Sequence, residues 1–246
     1  MFNGKKIIAV LPAYNAEKTL KLTLDDLPMD IVDDIILVDD ASRDGTAKLS
    51  RELGLKTFVH EKNTGYGGNQ KTCYREALKL GADIVVMVHP DHQYDPKAVA
   101  RIVVPFTDGE CEAVFGSRMI ERENALKGGM PYWKFLANIF LTDLENFFLG
   151  LDLTEYHSGF RAYSAKLLRS LPLERNSDNF VFDTEIIVQT ANKGYKIKEI
   201  PIPTKYFKDA SSIGLMPSIN YGLSILRVLA RYKAHKWGIK KNPQFE

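Results

Sequence analysis

Cysteine is scarce in this chain: only Cys73 and Cys111 occur in 246 residues. That excludes a disulfide framework, and neither residue falls in a metal-ligand spacing, so a reducing compartment is expected. Long hydrophobic runs are also missing. No stretch reaches about 18 uninterrupted apolar residues, the length of a membrane-spanning helix. The apolar run near the N-terminus, Ile7 to Leu11, is the length of a strand rather than of a signal peptide. An excess of one charge is absent too. Thirty-three Lys and Arg face 31 Asp and Glu for a net charge of +2, so bulk charge does not point to nucleic acid, and none is expected as a partner. There is no internal repeat and no low-complexity segment. What remains is a 45 % hydrophobic composition, enough for a sizeable core in one large domain or a domain with appendages.

The first half alternates two periodicities. Lys6 to Leu11 is an apolar strand ending at Pro12, and Ala16 to Leu27 carries Leu20, Leu24 and Leu27 at helical spacing. Asp34 to Val38 is a second strand, running into the polar residues Asp39 to Thr46, which can cap the next helix. Thr57 to His60, Ile84 to Val88 and Ala113 to Arg118 are further strands, with a helix pattern over Asn69 to Leu80. Repeated β-α-β implies an α/β fold with a mostly parallel central sheet flanked by helices on both faces. Such a sheet delivers polar side chains to a crevice at the carboxyl edge of its strands.

Val85 to Pro96 is where that crevice is expected. A buried apolar strand breaks into His89-Pro90-Asp91-His92-Gln93-Tyr94-Asp95-Pro96. If the extended geometry persists, His89, Asp91 and Gln93 share one face and offer a nitrogen and two oxygens to a divalent ion. The plainer reading is a solvated turn opened by Asp and Pro. Pro12-Ala13-Tyr14-Asn15 is not the glycine fingerprint that a dinucleotide fold needs after its first strand. Asn63-Thr64-Gly65-Tyr66-Gly67-Gly68-Asn69 lacks the Lys and Ser/Thr of a P-loop, and reads equally as a loop needing positive φ.

Taken together, Val10-Leu11-Pro12-Ala13-Tyr14-Asn15, Val38-Asp39-Asp40-Ala41-Ser42-Arg43-Asp44-Gly45-Thr46, Asn63-Thr64-Gly65, His89-Pro90-Asp91 and Ser158-Gly159-Phe160-Arg161 resemble the family 2 glycosyltransferases. The resemblance runs from about residue 6 to about residue 215, and is strongest to the branch of dolichyl-phosphate mannose synthase and its bacterial polyprenyl-phosphate relatives. It implies the GT-A fold, with a catalytic domain over 1–215 (donor half about 1–118, acceptor half about 119–215) and a basic helical extension over 216–246. It also implies donor-nucleotide contacts at Pro12, Tyr14, Val38, Asp40 and Pro90, with Asp39 bracing the loop. Ala16 stands where many members of the branch carry Glu, with Glu17 one place on, which leaves the base open.

The same resemblance makes Asp91 the second Asp of an Asp-x-Asp signature, with His89 replacing the first and Gln93 completing a shell for Mg²⁺ or Mn²⁺. His89 could instead hydrogen-bond a phosphate. Asp91 and Arg118 are the implied catalytic residues. Arg118, Arg161, Lys205, Ser211 and Ser212 are the implied contacts to an acceptor phosphate, each able to give charge-assisted or hydroxyl hydrogen bonds. A hydroxyl acceptor would need a carboxylate base, for which Asp152, Glu155 and Asp183 are candidates; Asp183 also reads as the N-cap of a helix ending near Gly194. Trp133 to Leu151 is apolar but interrupted by Asp143 and Glu145, as in an amphipathic or core helix. From Ile219 to Lys241 a basic helix with an apolar stripe suits either an anionic membrane surface or packing on the catalytic domain.

The expected activity is inverting, metal-dependent transfer of a hexose from a nucleoside-diphosphate sugar to a polyprenyl phosphate in cell-envelope biosynthesis, at the cytoplasmic face of the membrane with peripheral contact. The alternatives are extension of a saccharide hydroxyl in surface-polysaccharide assembly, and a nucleotide-sugar-binding protein without catalysis.

Overall fold

The computed structural model describes residues 1–203 and 214–246. Seven strands, β1 (Ile7–Ala13), β2 (Asp34–Asp39), β3 (Lys56–Val59), β4 (Ile84–Met87), β5 (Ala113–Ser117), β6 (Arg161–Ser164) and β7 (Ile197–Pro201), form one sheet in the order β3-β2-β1-β4-β6-β5-β7. Pairing is parallel throughout except where β6 lies antiparallel between β4 and β5. Two antiparallel steps restore direction, so β5 ends at the same edge as β1, β2 and β4.

The helices are α1 (Leu20–Asp25), α2 (Thr46–Glu52), α3 (Tyr66–Lys79), α4 (Val99–Ile102), α5 (Val104–Thr107), α6 (Arg122–Lys127), α7 (Tyr132–Leu149), α8 (Ala165–Ser170), α9 (Phe182–Asn192) and α10 (Leu215–Lys236). They cover both faces, which is why the central strands are apolar without alternation. In β1, Ile7, Ala9 and Leu11 enter one core with Val99 and Ile102 of α4. Ile8 and Val10 enter the other with Cys73, Tyr74 and Ala77 of α3. A third cluster joins Ile225, Val228, Leu229 and Tyr232 of α10 to Val181, Val188 and Phe245. That spacing is a helical stripe packed inward. The 216–246 segment is thus seated on α7 and α9, and among the described residues no helix is long and apolar enough to cross a membrane.

Four local expectations change. The helix expected from Ala16 begins only at Leu20, because Asn15 adopts φ 53° and the Ala16 carbonyl is taken up by the turn Thr19 N–H as well as by Leu20. Tyr156 to Ser164, which the family resemblance makes an acceptor-side loop, supplies β6, whose short run Arg161-Ala162-Tyr163 carries little strand signal by itself. Asp183 is not an N-cap; Val181 holds that place and Asp183 lies inside the first turn of α9. α3 starts at Tyr66 rather than Asn69, so the glycines belong to its first turn.

Candidate active site

The carboxyl ends of β1 and β2 are laced together. Asn15 accepts from Arg43 N–H at 2.9 Å and its own N–H donates to Ser42 Oγ at 2.8 Å, while Ala16 N–H donates to Thr46 Oγ1 at 2.8 Å. This fixes Tyr14 with half its surface open (50 %), a ring available for stacking. Pro12 pairs with Val38 across the two strands, and Val38 is fully buried, so it can shape the floor here but not reach a ligand with its side chain.

The two acidic residues at the end of β2 both hold loops. Asp40 was expected to bind base or ribose, yet its carboxylate accepts from Thr64 N–H and Thr64 Oγ1 at 2.8 Å each, from Gly65 N–H at 3.0 Å, and contacts His60 Nδ1 at 2.7 Å. It is the brace of the 60–65 loop. Asp39 accepts from Ser42 N–H at 3.0 Å, and its Oδ1 is buried without a hydrogen-bond partner among the described residues. The brace works because Gly65 can take φ +85° at the entry to α3.

A cleft of about 150 Å³ opens at the end of β4. His89, Asp91 and Gln93 all line it, as expected, but not by strand alternation. The strand stops at Met87, His92 takes φ 55°, and Asp91 Oδ1 accepts from Gln93 N–H at 3.0 Å. A turn of the kind Asx residues form, not a pleat, gathers the three side chains. Pro90 is buried in that turn. Burial lowers the pKa of His89, so the ring is neutral; it stacks on Tyr66 at 5.7 Å between centroids. Tyr94, His157 and Gly159 also line the cleft, with Phe180, Asp183 of α9 and Tyr221 of α10. Asp183 accepts from Tyr66 Oη–H at 2.9 Å and Gln70 Nε2–H at 3.1 Å, and Arg161 Nη1 stands 3.4 Å away.

Both arginines expected at an acceptor phosphate are engaged inside the protein. Arg118 Nε–H donates to Glu155 Oε1 at 2.8 Å, its backbone N–H to Oε2 at 2.7 Å, and Nη2–H to the His157 carbonyl at 3.2 Å. Burial pushes the Glu155 carboxyl up, but the Arg118 charge and the hydrogen bonds from Arg118 and Asn138 together outweigh it and the pKa is lowered. Arg161 spans the Ser158, Tyr156 and Asp183 carbonyls at 2.7, 2.7 and 3.3 Å. A phosphate would have to compete with these bonds, which also remove Glu155 as a base; Asp152 is exposed, and of the three expected candidates Asp183 alone lines this cleft. Lys205, Ser211 and Ser212 lie outside the described residues.

Sequence reasoning overlooked Tyr66, Gln70, His157 and Tyr221. Tyr66, Gln70 and Tyr74 recur at i, i+4, i+8, a signal of one polar-aromatic helix face. Tyr221 carries no such signal, because only packing of α10 brings it 3.3 Å from His157 Nδ1.

Comparison with known proteins agrees with this architecture. The sequence model described as Glycosyl transferase family 2 matches residues 8–171. The UDP-N-acetylglucosamine–dolichyl-phosphate N-acetylglucosaminyltransferase of Methanococcus voltae is 30 % identical over 234 residues, covering 88 % of this chain and 92 % of its own. The undecaprenyl-phosphate mannosyltransferase of Micrococcus luteus is 28 % identical over 207 residues, 80 % of this chain and 82 % of its own. Among solved structures, glucosyl-3-phosphoglycerate synthase of Mycobacterium tuberculosis with phosphoglyceric acid superposes with a TM-score of 0.72 at 23 % identity, over 93 % of this chain and 80 % of that one. The same enzyme has been crystallised with Mn²⁺ and uridine diphosphate. At that identity the likeness carries the fold alone.

Proposed function

This chain belongs to glycosyl transferase family 2, and from that premise we propose that it transfers a hexose, with inversion, from a nucleoside-diphosphate sugar to a polyprenyl phosphate. The observation that carries the reading is the convergence of His89, Asp91 and Gln93 on one cleft at the carboxyl edge of β4. The acceptor class is supported by relatives whose names specify dolichyl and undecaprenyl phosphate and which align over most of their length.

The donor set fits a divalent ion that arrives with the diphosphate. Asp91 offers a carboxylate, Gln93 a carboxamide, and His89, kept neutral by burial, a nitrogen lone pair. Among the described residues no three His, Cys, Asp or Glu side chains cluster, so phosphate and water would furnish the other ligands, a sparse arrangement that suits Mg²⁺ or Mn²⁺. When bound, the ion neutralises charge building on the departing diphosphate. Tyr14 stacks on the base, Asp39 and Asp40 hold the loops that frame the nucleotide, and Arg118 and Arg161 brace the acceptor side of the cleft. Lys205, Ser211 and Ser212 remain the proposed contacts to the acceptor phosphate, which as an anion needs no strong base.

The outer face of α10 supports contact with an anionic membrane at its cytoplasmic face. Leu223, Leu226, Arg227 and Lys236 are exposed on α10, and Trp237, Ile239, Lys240 and Lys241 are exposed just beyond its end. A saccharide hydroxyl is the second reading for the acceptor, favoured by Asp183, a carboxylate in the cleft that could serve as base; its existing bonds to Tyr66 and Gln70 weigh against it. Labelled donor offered with each acceptor decides between them. An acid-labile, organic-extractable product is expected, and extension of the saccharide without such a product would overturn the choice.

A further inference from the structure

Behind the cleft lies a second polar group that the reaction described above does not use. Glu145, on the inward side of α7, is fully buried; neither of its oxygens meets the geometry of a hydrogen bond among the described residues, although the Thr184 hydroxyl is near enough to favour its charged form. Its surroundings come from four elements. His157 Nε2, in the loop before β6, stands 3.3 Å from Oε2. The Thr184 hydroxyl of α9 faces the same carboxyl. Tyr156 and Tyr221 are near enough to be affected by its charge. Arg161 is the cation that acts on it, but its guanidinium is directed at Asp183 and the Ser158 and Tyr156 carbonyls.

An ionised carboxylate there would be a buried charge without compensation, so the group keeps its proton. Burial pushes Glu145 up to about 8, and burial with the Arg118 and Arg161 charges pushes His157 down to about 3 against the pull of Glu155, which places the single proton of the pair on the acid. A neutral carboxyl needs an acceptor, and His157 Nε2, without a hydrogen-bond partner among the described residues, stands 3.3 Å from Oε2. That choice dictates the tautomer: the ring hydrogen sits on Nδ1, which is 3.3 Å from Tyr221 Oη, with the two rings edge to face at 5.8 Å.

We propose that Glu145, His157 and Tyr221 form a proton-sharing relay that ties α7, the loop before β6 and α10 together and holds the His157–Tyr221 wall of the cleft in place. The three are positioning residues, and the effect on turnover rests on the glycosyl-transfer reading. In the working state Glu145 Oε–H donates to His157 Nε2, and His157 Nδ1–H donates to Tyr221 Oη. When hydroxide removes the Glu145 proton as water, the ring hydrogen moves from Nδ1 to Nε2 to meet the carboxylate, Tyr221 Oη loses the hydrogen bond it accepted, and the wall is re-set. The His157 carbonyl holds Arg118, so the displacement reaches the other side of the cleft as well.

Nitrogen-15 NMR of the full chain with labelled histidine tests this, with His157→Asn assigning the signal. His157 is expected to be neutral with its hydrogen on Nδ1 from about pH 5 to 7, and to shift as the wild type passes pH 8. In Glu145→Gln, whose carboxamide donates the same hydrogen at every pH, the signal stays put. Turnover with nucleotide sugar and polyprenyl phosphate is expected to fall several-fold across that alkaline step in the wild type and to stay level in E145Q. Glu145→Leu, which donates nothing, lowers kcat at every pH with little change in donor KM. A hydrogen on Nε2 at neutral pH, or pH profiles of wild type and E145Q that coincide, would overturn the relay. The NMR readout needs no turnover. No transfer to either acceptor with His157 as described defeats only the functional reading, and transfer with a pH-invariant His157 defeats only the relay.

Discussion

His89 gives the cleft its chemical character. Where a second carboxylate would add charge, the chain has a neutral ring stacked on Tyr66, in space that exists because residue 159 is glycine; a Cβ there would lie 2.7 Å from His89 Nε2. Asp91 is then the principal charge for a cation. Asp91→Ala is expected to lower transfer by about two orders of magnitude or more, the scale of removing one electrostatic stabiliser of a transition state, while the melting temperature stays near that of the wild type. His89→Asp restores a second carboxylate. The expected outcome is a lower Mg²⁺ concentration for half-maximal activity and a smaller advantage for Mn²⁺, because a hard ion prefers oxygen over imidazole nitrogen. An unchanged metal titration would show that His89 does not face the ion.

The elements that set these residues meet with little clearance. The first turn of α3 approaches the 176–182 segment so closely that a Cβ at Gly67 would lie 2.3 Å from the Ser177 carbonyl oxygen and 2.8 Å from Phe182 Cβ. Backbone cannot rotate aside, so Gly67→Ala must move α3 and Tyr66 with it. A loss of about 1–3 kcal/mol is expected, as for overpacking, read from the urea midpoint. Gly222 on α10 provides the contrast, since its Cβ would meet nothing nearer than Leu141 Cδ1 at 3.9 Å. There alanine is expected to be neutral or to stabilise by up to about 1 kcal/mol through helix propensity. The loop before β6 is fastened differently, by the buried Arg118–Glu155 pair with Asn138 donating to Glu155 at 2.7 Å. Glu155→Leu leaves that guanidinium buried without its carboxylate, at an expected cost of about 3–5 kcal/mol in chemical denaturation.

At the scale of the whole molecule, Glu145 and His157 link stability to pH as a pair. Glu145 rises from 4.5 to about 8 on folding and His157 falls from 6.5 to about 3. Between pH 4.5 and 6.5 the folded pair holds one proton, on Glu145, and the unfolded chain also holds one, on His157. Their contribution is flat in that window. Above it the unfolded chain releases its proton while the folded one retains its own until about 8, so stability falls as pH rises. Below it the unfolded chain gains a second proton, and stability falls as pH drops. The difference between wild type and Glu145→Gln isolates the Glu145 share, lost as pH rises from 4.5 to about 8, and E145Q is expected to unfold at higher urea than the wild type at pH 9. The exposed basic and apolar face of α10 predicts flotation with anionic vesicles, weakened by salt. Replacing Lys236, Lys240 and Lys241 with Ser should abolish it without altering the melting temperature.

The strands β1, β2, β4 and β5, their shared carboxyl edge and the triplet His89, Asp91 and Gln93 follow from the order of residues alone, because a parallel sheet buried on both faces needs continuous apolar strands and must present its polar residues where they end. Other features were settled only when distant segments packed. Asp40 became the brace of the 60–65 loop because that loop brings four donors to it. Arg118 and Arg161 turned inward because Glu155 and the carbonyls of the 156–158 segment lie beneath them. Tyr221 entered the cleft from α10, and Glu145 retained its proton because α7, α9 and α10 close over it. The common reason is that a side chain's partners and hydration are set by elements tens of residues away, whereas the period of burial along a strand or helix is written locally.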